Sequence, residues 1–205
     1  MNYDEVHSRI QAAYDQIAPH YAARNSEMRD GIIDLAAQFL QLIGQPARVL
    51  DLGCGAGRDM AWMESQGIPV VGADLSAGML AHARRATRGP LVQADMLALP
   101  FSRGEFSGVW CMASLLHLPR AEAPSALAEI KRVLSPGGAL ALGLHEGEGE
   151  IWEVNPYHGT AERFFSRYQS DEVEEMLKSA GFRVLLQGAN DAGPRNWLRF
   201  LATSN

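Results

Sequence analysis

The chain of 205 residues is long enough to bury a substantial core in one domain, and its composition, 47% hydrophobic and 20% charged, excludes a largely disordered protein. Its formal net charge of −6 excludes a strong electrostatic attraction to nucleic acid or to an anionic membrane. The two cysteines, Cys54 and Cys111, fit neither a disulfide framework nor a metal site, so we expect a reducing compartment.

The N-terminal ten residues lack the apolar run of a signal peptide. No stretch approaches the roughly 18 apolar residues that span a bilayer. We therefore expect a cytoplasmic protein with no membrane partner.

Helical and short apolar segments alternate along the chain. The first 46 residues are mostly helical, and the apolar positions from Ile32 to Ile43 form a helix face that we expect to pack on a sheet. Further on, strands are predicted at 47–52, 69–73, 91–94, 106–112 and 139–144, with helices at 58–66, 77–86 and 121–134. This alternation favours a parallel sheet with helices on both faces.

The pattern changes after the fifth strand. Residues 145–170 are rich in glycine, glutamate and aromatic residues without a clean period, which is typical of a binding loop or lid. A helix is predicted at 171–180, followed by strands at 182–187 and 197–203. The turn-rich residues between these strands, Gly188 and 190–194, predict antiparallel neighbours.

We therefore predict one α/β domain with a doubly wound sheet of seven strands, mostly parallel and with an antiparallel last strand. Its expected parts are an N-terminal helical cover (1–46), a core (47–144), a cap (145–170) and the last helix and strand pair (171–205).

A glycine-rich turn follows the first strand in the sequence Asp51-Leu-Gly53-Cys-Gly55-Ala-Gly57. Glycines at such a turn let the backbone approach a ligand closely. The third glycine comes one residue too early for the dinucleotide fingerprint, because position 58 is arginine. A tight strand–helix turn without a ligand is the alternative interpretation.

Acids follow the next two strands. Asp74 ends the second strand, where a doubly wound fold presents a carboxylate to ribose hydroxyls. Alternatively it precedes the next helix as a capping acid, a role that Ser76 can also fill. Asp95 follows the third strand and on its own is an ordinary loop acid. Because ligands of open α/β sheets bind outside the carboxyl ends of the strands, the ordered set is more specific than any single member.

These segments resemble the class I S-adenosylmethionine-dependent methyltransferases, and in particular their small-molecule branch. The matching stretches are VLDLGCGAGRD (49–59), VVGADLS (70–76), LVQADMLALPF (91–101), EIKRVLSPGGALAL (129–142), YDQIAPHYAARN (14–25) and FFSRYQSDEVEEMLKSAGFRV (164–184). The resemblance covers nearly the whole chain. It implies a Rossmann-like methyltransferase fold with S-adenosyl-L-methionine as cofactor and no metal.

The resemblance also implies roles for individual residues. Asp51 and the glycine turn would face the methionine part of the cofactor, Asp74 its ribose hydroxyls and Asp95 its adenine amino group. Further cofactor contacts are implied at Tyr14, Tyr21, Gly53, Cys54, Gly55, Gly57, Leu75, Met79, Met96, Leu97, Met112 and Ala113. For the two tyrosines, ordinary packing onto the sheet is the alternative.

Methyl transfer is an in-line displacement, for which positioning and desolvation can suffice. A general base helps only when the acceptor arrives protonated. The candidate bases are His117 and His145, and for each a hydrogen-bonded structural histidine is the alternative. The candidate acceptor contacts in the cap are Trp152, Tyr157, Arg163 and Tyr168.

The chain reads Met112-Ala113-Ser114-Leu115 after the fourth strand. Family members that methylate nucleobase amino groups typically carry an Asn/Asp-Pro-Pro-aromatic stretch there. We therefore expect a monomer or homodimer that methylates an oxygen, nitrogen or carbon of a small molecule, with no nucleic-acid partner. The alternatives are a cofactor-binding regulatory protein without catalysis and a nicotinamide-dependent oxidoreductase.

Overall fold

The computed structural model describes residues 2–157, 159–190 and 196–205. Its helices are α1 (Tyr3–Arg24), α2 (Asp30–Ile43), α3 (Arg58–Ser65), α4 (Ala77–Ala86), α5 (Ala123–Val133) and α6 (Ser170–Ser179). Its strands are β1 (Val49–Leu52), β2 (Val70–Asp74), β3 (Leu91–Gln93), β4 (Phe106–Met112), β5 (Leu134–Glu146), β6 (Glu150–Val154), β7 (Glu162–Tyr168), β8 (Phe182–Asn190) and β9 (Trp197–Ser204). Two short 3₁₀ helices lie at Leu115–His117 and Arg120–Glu122.

The sheet is parallel through its centre. Its strands run in the order β3-β2-β1-β4-β5, and each of these pairs is parallel. Strand β9 runs antiparallel along β5, and β8 runs antiparallel along β9. The predicted mostly parallel sheet with an antiparallel last strand is confirmed. The described residues form nine strands and not the predicted seven, because β6 and β7 extend the sheet beside β5. The predicted turn at 190–194 lies outside the described residues, apart from Asn190 in β8.

Residues 145–170 differ from the irregular segment that we expected. Strands β6 and β7 form an antiparallel hairpin, and β7 adds in parallel to the end of β5 through the pair His145 and Arg167. Phe164 and Phe165 point to opposite faces of β7, and both are buried. A strand buried on both faces has no polar–apolar alternation, so its periodicity could not be seen in the sequence.

The two faces of the sheet carry separate cores, as the alternation of strand side chains requires. On one face Leu50 and Leu52 pack with Leu127 and Ile130 of α5. On the other face Val49 and Trp110 pack with residues of α2 and α3, including Phe39. The indole Nε1 of Trp110 donates to Asp59 Oδ2 at 2.9 Å, so this buried polar group is satisfied. In the described ranges, none of the helices combines the length and apolarity needed to cross a membrane.

Helix α1 lies across the carboxyl-terminal edge of the sheet. Val6 and Ile10 pack on Phe164 of β7, and Ile17 packs on Met79 of α4. Asp15 then fastens α1 to the N-terminus of α4, because its Oδ1 accepts hydrogen bonds from Ser76 Oγ at 2.6 Å and from Gly78 N at 2.8 Å. An acid at this position also interacts favourably with the α4 dipole. Helix α1, the first part of the predicted helical cover, is thus docked on β7 near its start and on α4 near its middle.

Gly108 in β4 lets α2 approach the sheet closely. A Cβ at this position would lie 2.5 Å from Phe39 Cζ and 2.7 Å from Ile43 Cγ2. We expect Gly108→Ala to lower the free energy of unfolding by about 1–3 kcal/mol through overpacking, as measured by urea denaturation. The matched control is Gly188→Ala in β8, where an added Cβ meets nothing within 4 Å. Equal losses in the two variants would contradict this account of the α2 contact.

Candidate active site

A cleft opens at the carboxyl ends of β1, β2 and β4, with α1 above it. It holds about 820 Å³ of space between protein atoms, part of which is open to solvent. The chain passes from β1 to β2 and β3 on one side of this point and to β4 and β5 on the other. The cleft therefore occupies the topological switch point, where open α/β sheets bind ligands.

Most of the predicted cofactor residues line this cleft. They are Tyr14, Tyr21, Gly53, Gly55, Asp74, Leu75, Met79, Asp95, Met96, Met112 and Ala113, and His117 lines it as well. The other four, Asp51, Cys54, Gly57 and Leu97, lie behind the lining. The sequence analysis missed several lining residues, including His7, Ile10, Ser76 and Ser114. His7 stands seven residues before Tyr14, as Tyr14 does before Tyr21, so helical spacing could have found it.

The glycine turn is held by close contacts on two sides. Gly53, Gly55 and Gly57 all have positive φ, at 78°, 54° and 84°. A Cβ on Gly53 would lie 2.3 Å from Ser114 Cβ, so the turns after β1 and β4 touch. A Cβ on Gly55 would meet only Tyr21 Cε1 at 3.8 Å, which leaves the middle of the turn facing the cleft. Only glycine accommodates both this backbone conformation and the Ser114 contact.

Asp74 joins the glycine turn to α4. Its Oδ2 accepts from Gly55 N at 2.7 Å, and its Oδ1 accepts from Ser76 N at 2.9 Å. Burial raises the pKa of Asp74 to about 6, although these hydrogen bonds act in the opposite direction. Ser76 supplies the side-chain cap of α4, since its Oγ accepts from Met79 N. The capping role that Asp74 could have filled is therefore taken by Ser76, and the Asp74 carboxylate lines the cleft.

Asp51 is a buried acid beneath the turn, only 3% exposed. Among the described residues its Oδ2 has no hydrogen-bond partner. Burial and the nearby Asp59 carboxylate raise the pKa of Asp51 well above its ordinary value. A buried carboxylate oxygen without a donor is costly, so this atom is suited to an incoming cationic donor.

Asp95 is contacted by the first turn of α1. The hydroxyl of Tyr3 donates to Asp95 Oδ2, and His7 Nε2 lies 3.6 Å from the same oxygen. The backbone N–H of Leu97 donates to Asp95 Oδ1 at 2.9 Å. Leu97 therefore contacts Asp95 through its backbone, and it is not a lining residue of the cleft. Burial and the hydrogen bond to Asp95 raise the pKa of the Tyr3 hydroxyl. Sequence reasoning had no signal for the Tyr3 contact, because it joins residues 92 positions apart.

Tyr14 and His117 form a hydrogen-bonded pair in the cleft wall. The carbonyl oxygen of Phe164 lies 2.6 Å from His117 Nδ1, and because a carbonyl only accepts, Nδ1 carries the proton. His117 Nε2 therefore accepts from the Tyr14 hydroxyl at 2.6 Å. Burial lowers the pKa of His117 to about 3 and raises the pKa of Tyr14. Both imidazole nitrogens are occupied, and the ring is neutral near neutrality.

His145 does not line the cleft. It is 5% exposed and lies between two rings, stacked on Phe165 at 5.1 Å and edge-on to Trp197 at 4.3 Å between centroids. Of the two histidines that we expected at this sheet edge, only His117 lines the cleft, although both rings contact Phe165. The reason is that β5 continues to Glu146, beyond the predicted end at 144, which carries His145 into the pairing with β7 and β9.

The four candidate acceptor contacts divide into two groups. Tyr157 lies against α1, with its ring 5.1 Å from that of Tyr21, and Arg163 donates to the Tyr14 hydroxyl at 3.4 Å. Trp152 instead lies under Arg9, 3.6 Å from the guanidinium carbon. Tyr168 is buried in the main core. None of these four residues is among those that line the cleft in the described structure. The fold of β6 and β7 places Trp152, Tyr157 and Arg163 against α1 and places Tyr168 in the core.

Known proteins resemble the part of the chain that builds this cleft. A family model described as a methyltransferase domain matches residues 49–138. The malonyl-[acyl-carrier protein] O-methyltransferase of Enterobacter lignolyticus (strain SCF1) is 33% identical over 175 residues, covering 82% of this chain and 68% of the relative. The demethylmenaquinone methyltransferase of Thermus thermophilus is 38% identical over 141 residues, covering 63% of this chain and 62% of the relative. The chain thus spans about two thirds of the length of these curated relatives.

Solved structures show the same fold. The 1,6-didemethyltoxoflavin-N1-methyltransferase of Burkholderia thailandensis, solved with 1,6-didemethyltoxoflavin and S-adenosylhomocysteine, superposes with a TM-score of 0.74. It is 24% identical, and the match covers 100% of this chain and 91% of that one. Among the described residues, no group of three or more histidine, cysteine, aspartate or glutamate side chains converges as a metal site would require. By its sequence, its fold and the elements around the cleft, the chain belongs to the class I S-adenosylmethionine-dependent methyltransferases.

Proposed function

We propose that this protein transfers a methyl group from S-adenosylmethionine to an oxygen, nitrogen or carbon atom of a small molecule. The observation that carries the proposal is the convergence of Gly55, Asp74 and Asp95, from the ends of three successive strands, on one cleft under α1. Each was expected to contact a different part of the cofactor. Membership of the methyltransferase family supports the same reading.

The residues around the cleft fit this cofactor. S-adenosylmethionine carries an ammonium group, a ribose diol and an adenine amino group, all of which are hydrogen-bond donors. The chain offers a carboxylate for each, in Asp51, Asp74 and Asp95. The unpartnered, buried Oδ2 of Asp51 is the strongest sign of a missing cationic donor in the described structure. Leu75 and Met79 add the apolar surface that a purine ring requires.

When bound, S-adenosylmethionine supplies a methyl group on a sulfonium, which is already activated for displacement. The chain then has to bind, orient and desolvate the reactants. Tyr14 and Tyr21 project from α1 onto the cleft and exclude water from it. His117 stays neutral near neutrality, and its Nε2 is already occupied by Tyr14. We propose that His117 positions Tyr14 and accepts no proton from the methyl acceptor.

A small acceptor is supported by the relatives, which are named for methylating malonyl-[acyl-carrier protein], demethylmenaquinone and 1,6-didemethyltoxoflavin. The acidic net charge of −6 disfavours nucleic acid as a partner. We further propose a cytoplasmic location, supported by the two free, buried cysteines, and a monomer or homodimer as the working assembly.

A regulatory protein that binds the cofactor without catalysis shares the same cofactor cleft, and methyl turnover separates the two. Neither this alternative nor a nicotinamide-dependent oxidoreductase is favoured by the relatives. Incubation with methyl-labelled S-adenosylmethionine and a metabolite panel should label one class of small molecule. Cofactor binding without turnover on any acceptor would favour the regulatory alternative.

Isothermal titration should detect binding of S-adenosylhomocysteine, and Asp74→Asn should weaken it by about tenfold to a hundredfold, because a hydrogen bond to a charged group contributes about 1.5–3 kcal/mol. The matched control is Glu64→Gln. Glu64 also accepts from two backbone amides, those of Arg88 and Gly89, but it lies at the opposite end of β2. Absence of binding at high micromolar cofactor would contradict the proposed function, and an unaffected Asp74→Asn would contradict the role of Asp74.

Cofactor affinity should decrease as the pH is lowered. The raised pKa of Asp74, about 6, means that this carboxyl gains a proton as the pH drops through 6 and then accepts fewer hydrogen bonds. We expect S-adenosylhomocysteine to bind about tenfold more weakly one pH unit below this pKa than at neutral pH. Asp51, whose pKa is also raised, acts in the same direction. In Asp74→Asn the dependence should shrink, and an affinity that rises on acidification would contradict this prediction.

The ring of His117 should remain neutral from about pH 5 to about pH 8, because burial lowers its pKa to about 3. The measurement is the pH dependence of its Cε1–Hε1 resonance, assigned with His117→Gln. A chemical shift that does not change over this pH range would support the positioning role. A titration midpoint near neutrality would contradict the positioning role and would make His117 a candidate general base.

A further inference from the structure

Arg163 is a buried cation behind the wall of the cleft, because it contacts the lining residue Tyr14 and does not line the cleft itself. It lies on β7 and is 7% exposed. Its guanidinium carbon is 5.0 Å from the ring centroid of Phe165, 5.3 Å from that of Tyr157 and 5.9 Å from that of Tyr14. One Nη1–H donates to the Tyr14 hydroxyl at 3.4 Å. Three aromatic rings and one hydroxyl therefore surround this charge.

Arg163 differs from the arginines near it in having no carboxylate partner. Arg167 on the same strand lies 2.6 Å from Glu153, and Arg120 lies 2.8 Å from Glu172. Within the described ranges, Arg163 forms no salt bridge, since Glu153, its neighbour across the β6–β7 pair, is paired with Arg167. The Nε–H of Arg163 has no acceptor. Arg199 also has an unpartnered Nε, but it donates to Gly31 O and is only partly buried.

The buried charge requires an anion. Aromatic rings stabilise a desolvated guanidinium by less than the burial of an unpaired charge costs. The unpartnered Nε–H belongs to the edge of the guanidinium that holds a planar carboxylate by two parallel hydrogen bonds. The described residues around Arg163 leave this edge without an acceptor from the chain itself.

The position of Arg163 connects it to the reaction site. It stands directly behind Tyr14, whose hydroxyl donates to His117, and both of these residues line the cleft. The Tyr14 proton is committed to His117, so the Tyr14 oxygen is free to accept from Arg163. Arg163 itself is not a lining residue, so an acceptor reaches it only by displacing the Tyr14 ring, and it then meets a cation surrounded by aromatic side chains.

We infer that the methyl acceptor carries a carboxylate and that Arg163 binds it. This inference rests on the proposed function, and it specifies the chemical class of the substrate. The role of Arg163 is recognition, since it orients the acceptor from one side of the cleft while Asp74 and Asp95 hold the cofactor from the other.

The test uses protein saturated with S-adenosylhomocysteine, in which no turnover occurs. The probes are benzoate, succinate and octanoate, each compared with its neutral amide by saturation-transfer NMR and titration. At least one carboxylate should bind tenfold or more tightly than its amide. Phosphate ion serves as a further probe, and it should bind more weakly than that carboxylate.

Variants then assign the preference to Arg163. Arg163→Met should lower the affinity for the carboxylate probe to that for its amide. Arg163→Lys should retain part of the preference for the carboxylate over the amide. The matched control is Arg167→Met, four residues along the same strand, which should behave as the unmodified protein. S-adenosylhomocysteine affinity, measured on every variant, shows that the fold and cofactor cleft are intact.

Equal binding of acids and amides by the cofactor-saturated protein would overturn the inference and leave the proposed function standing. A preference for phosphate, or a carboxylate preference that survives Arg163→Met, would overturn it in the same way. Failure of the unmodified protein to bind S-adenosylhomocysteine would instead overturn the proposed function and this inference with it. If Arg163→Met alone fails to fold, the comparison of acids with amides on the unmodified protein still decides.

Discussion

A chain of hydrogen bonds through Asp74 joins the floor of the cleft to its roof. Gly55 N and Ser76 N both donate to the Asp74 carboxylate, and Ser76 Oγ in turn donates to Asp15 of α1. The glycine turn, the end of β2, the start of α4 and the covering helix are thereby connected in one network. Each link is a backbone amide or hydroxyl on a partly buried carboxylate, the strong class of hydrogen bond. The position of α1 above the cleft depends on this network.

Acidic residues lie on one side of the cleft, and a buried arginine lies on the other. Asp51, Asp74 and Asp95 lie on the side of β1, β2 and β3, and burial raises the pKa of the first two. Such burial is unfavourable for the empty protein and favourable for a ligand that brings donors or positive charge. On the side of β7, Arg163 has the opposite sign, and among the described residues its Nε–H lacks an acceptor as Asp51 Oδ2 lacks a donor. The two halves therefore call for ligands of different charge, a cationic cofactor on one side and an anionic acceptor on the other.

The roles of the two candidate histidines were decided by burial. Both were expected at one sheet edge, but His145 is carried into the packing of Phe165 and Trp197, and His117 is held between Phe164 and Tyr14. The neutral imidazole of His117 is hydrogen-bonded through both of its nitrogens, which fixes the orientation of the ring. This arrangement fits a reaction in which positioning contributes more than proton transfer.

The amino-acid sequence by itself determined the strand–helix alternation, the antiparallel final pair and about half of the residues that line the cleft, because these depend on local periodicity and on motifs at strand ends. Helix α4 and strand β4, for example, have the predicted bounds. It could not reveal the β6–β7 hairpin, whose strand β7 is buried on both faces, nor the contact of Tyr3 with Asp95. Only the tertiary structure decided that Tyr168 belongs to the core and that Arg163 is buried with no salt bridge to any described residue. The physical reason is that burial and charge pairing depend on neighbours far apart in the chain, which no local pattern encodes.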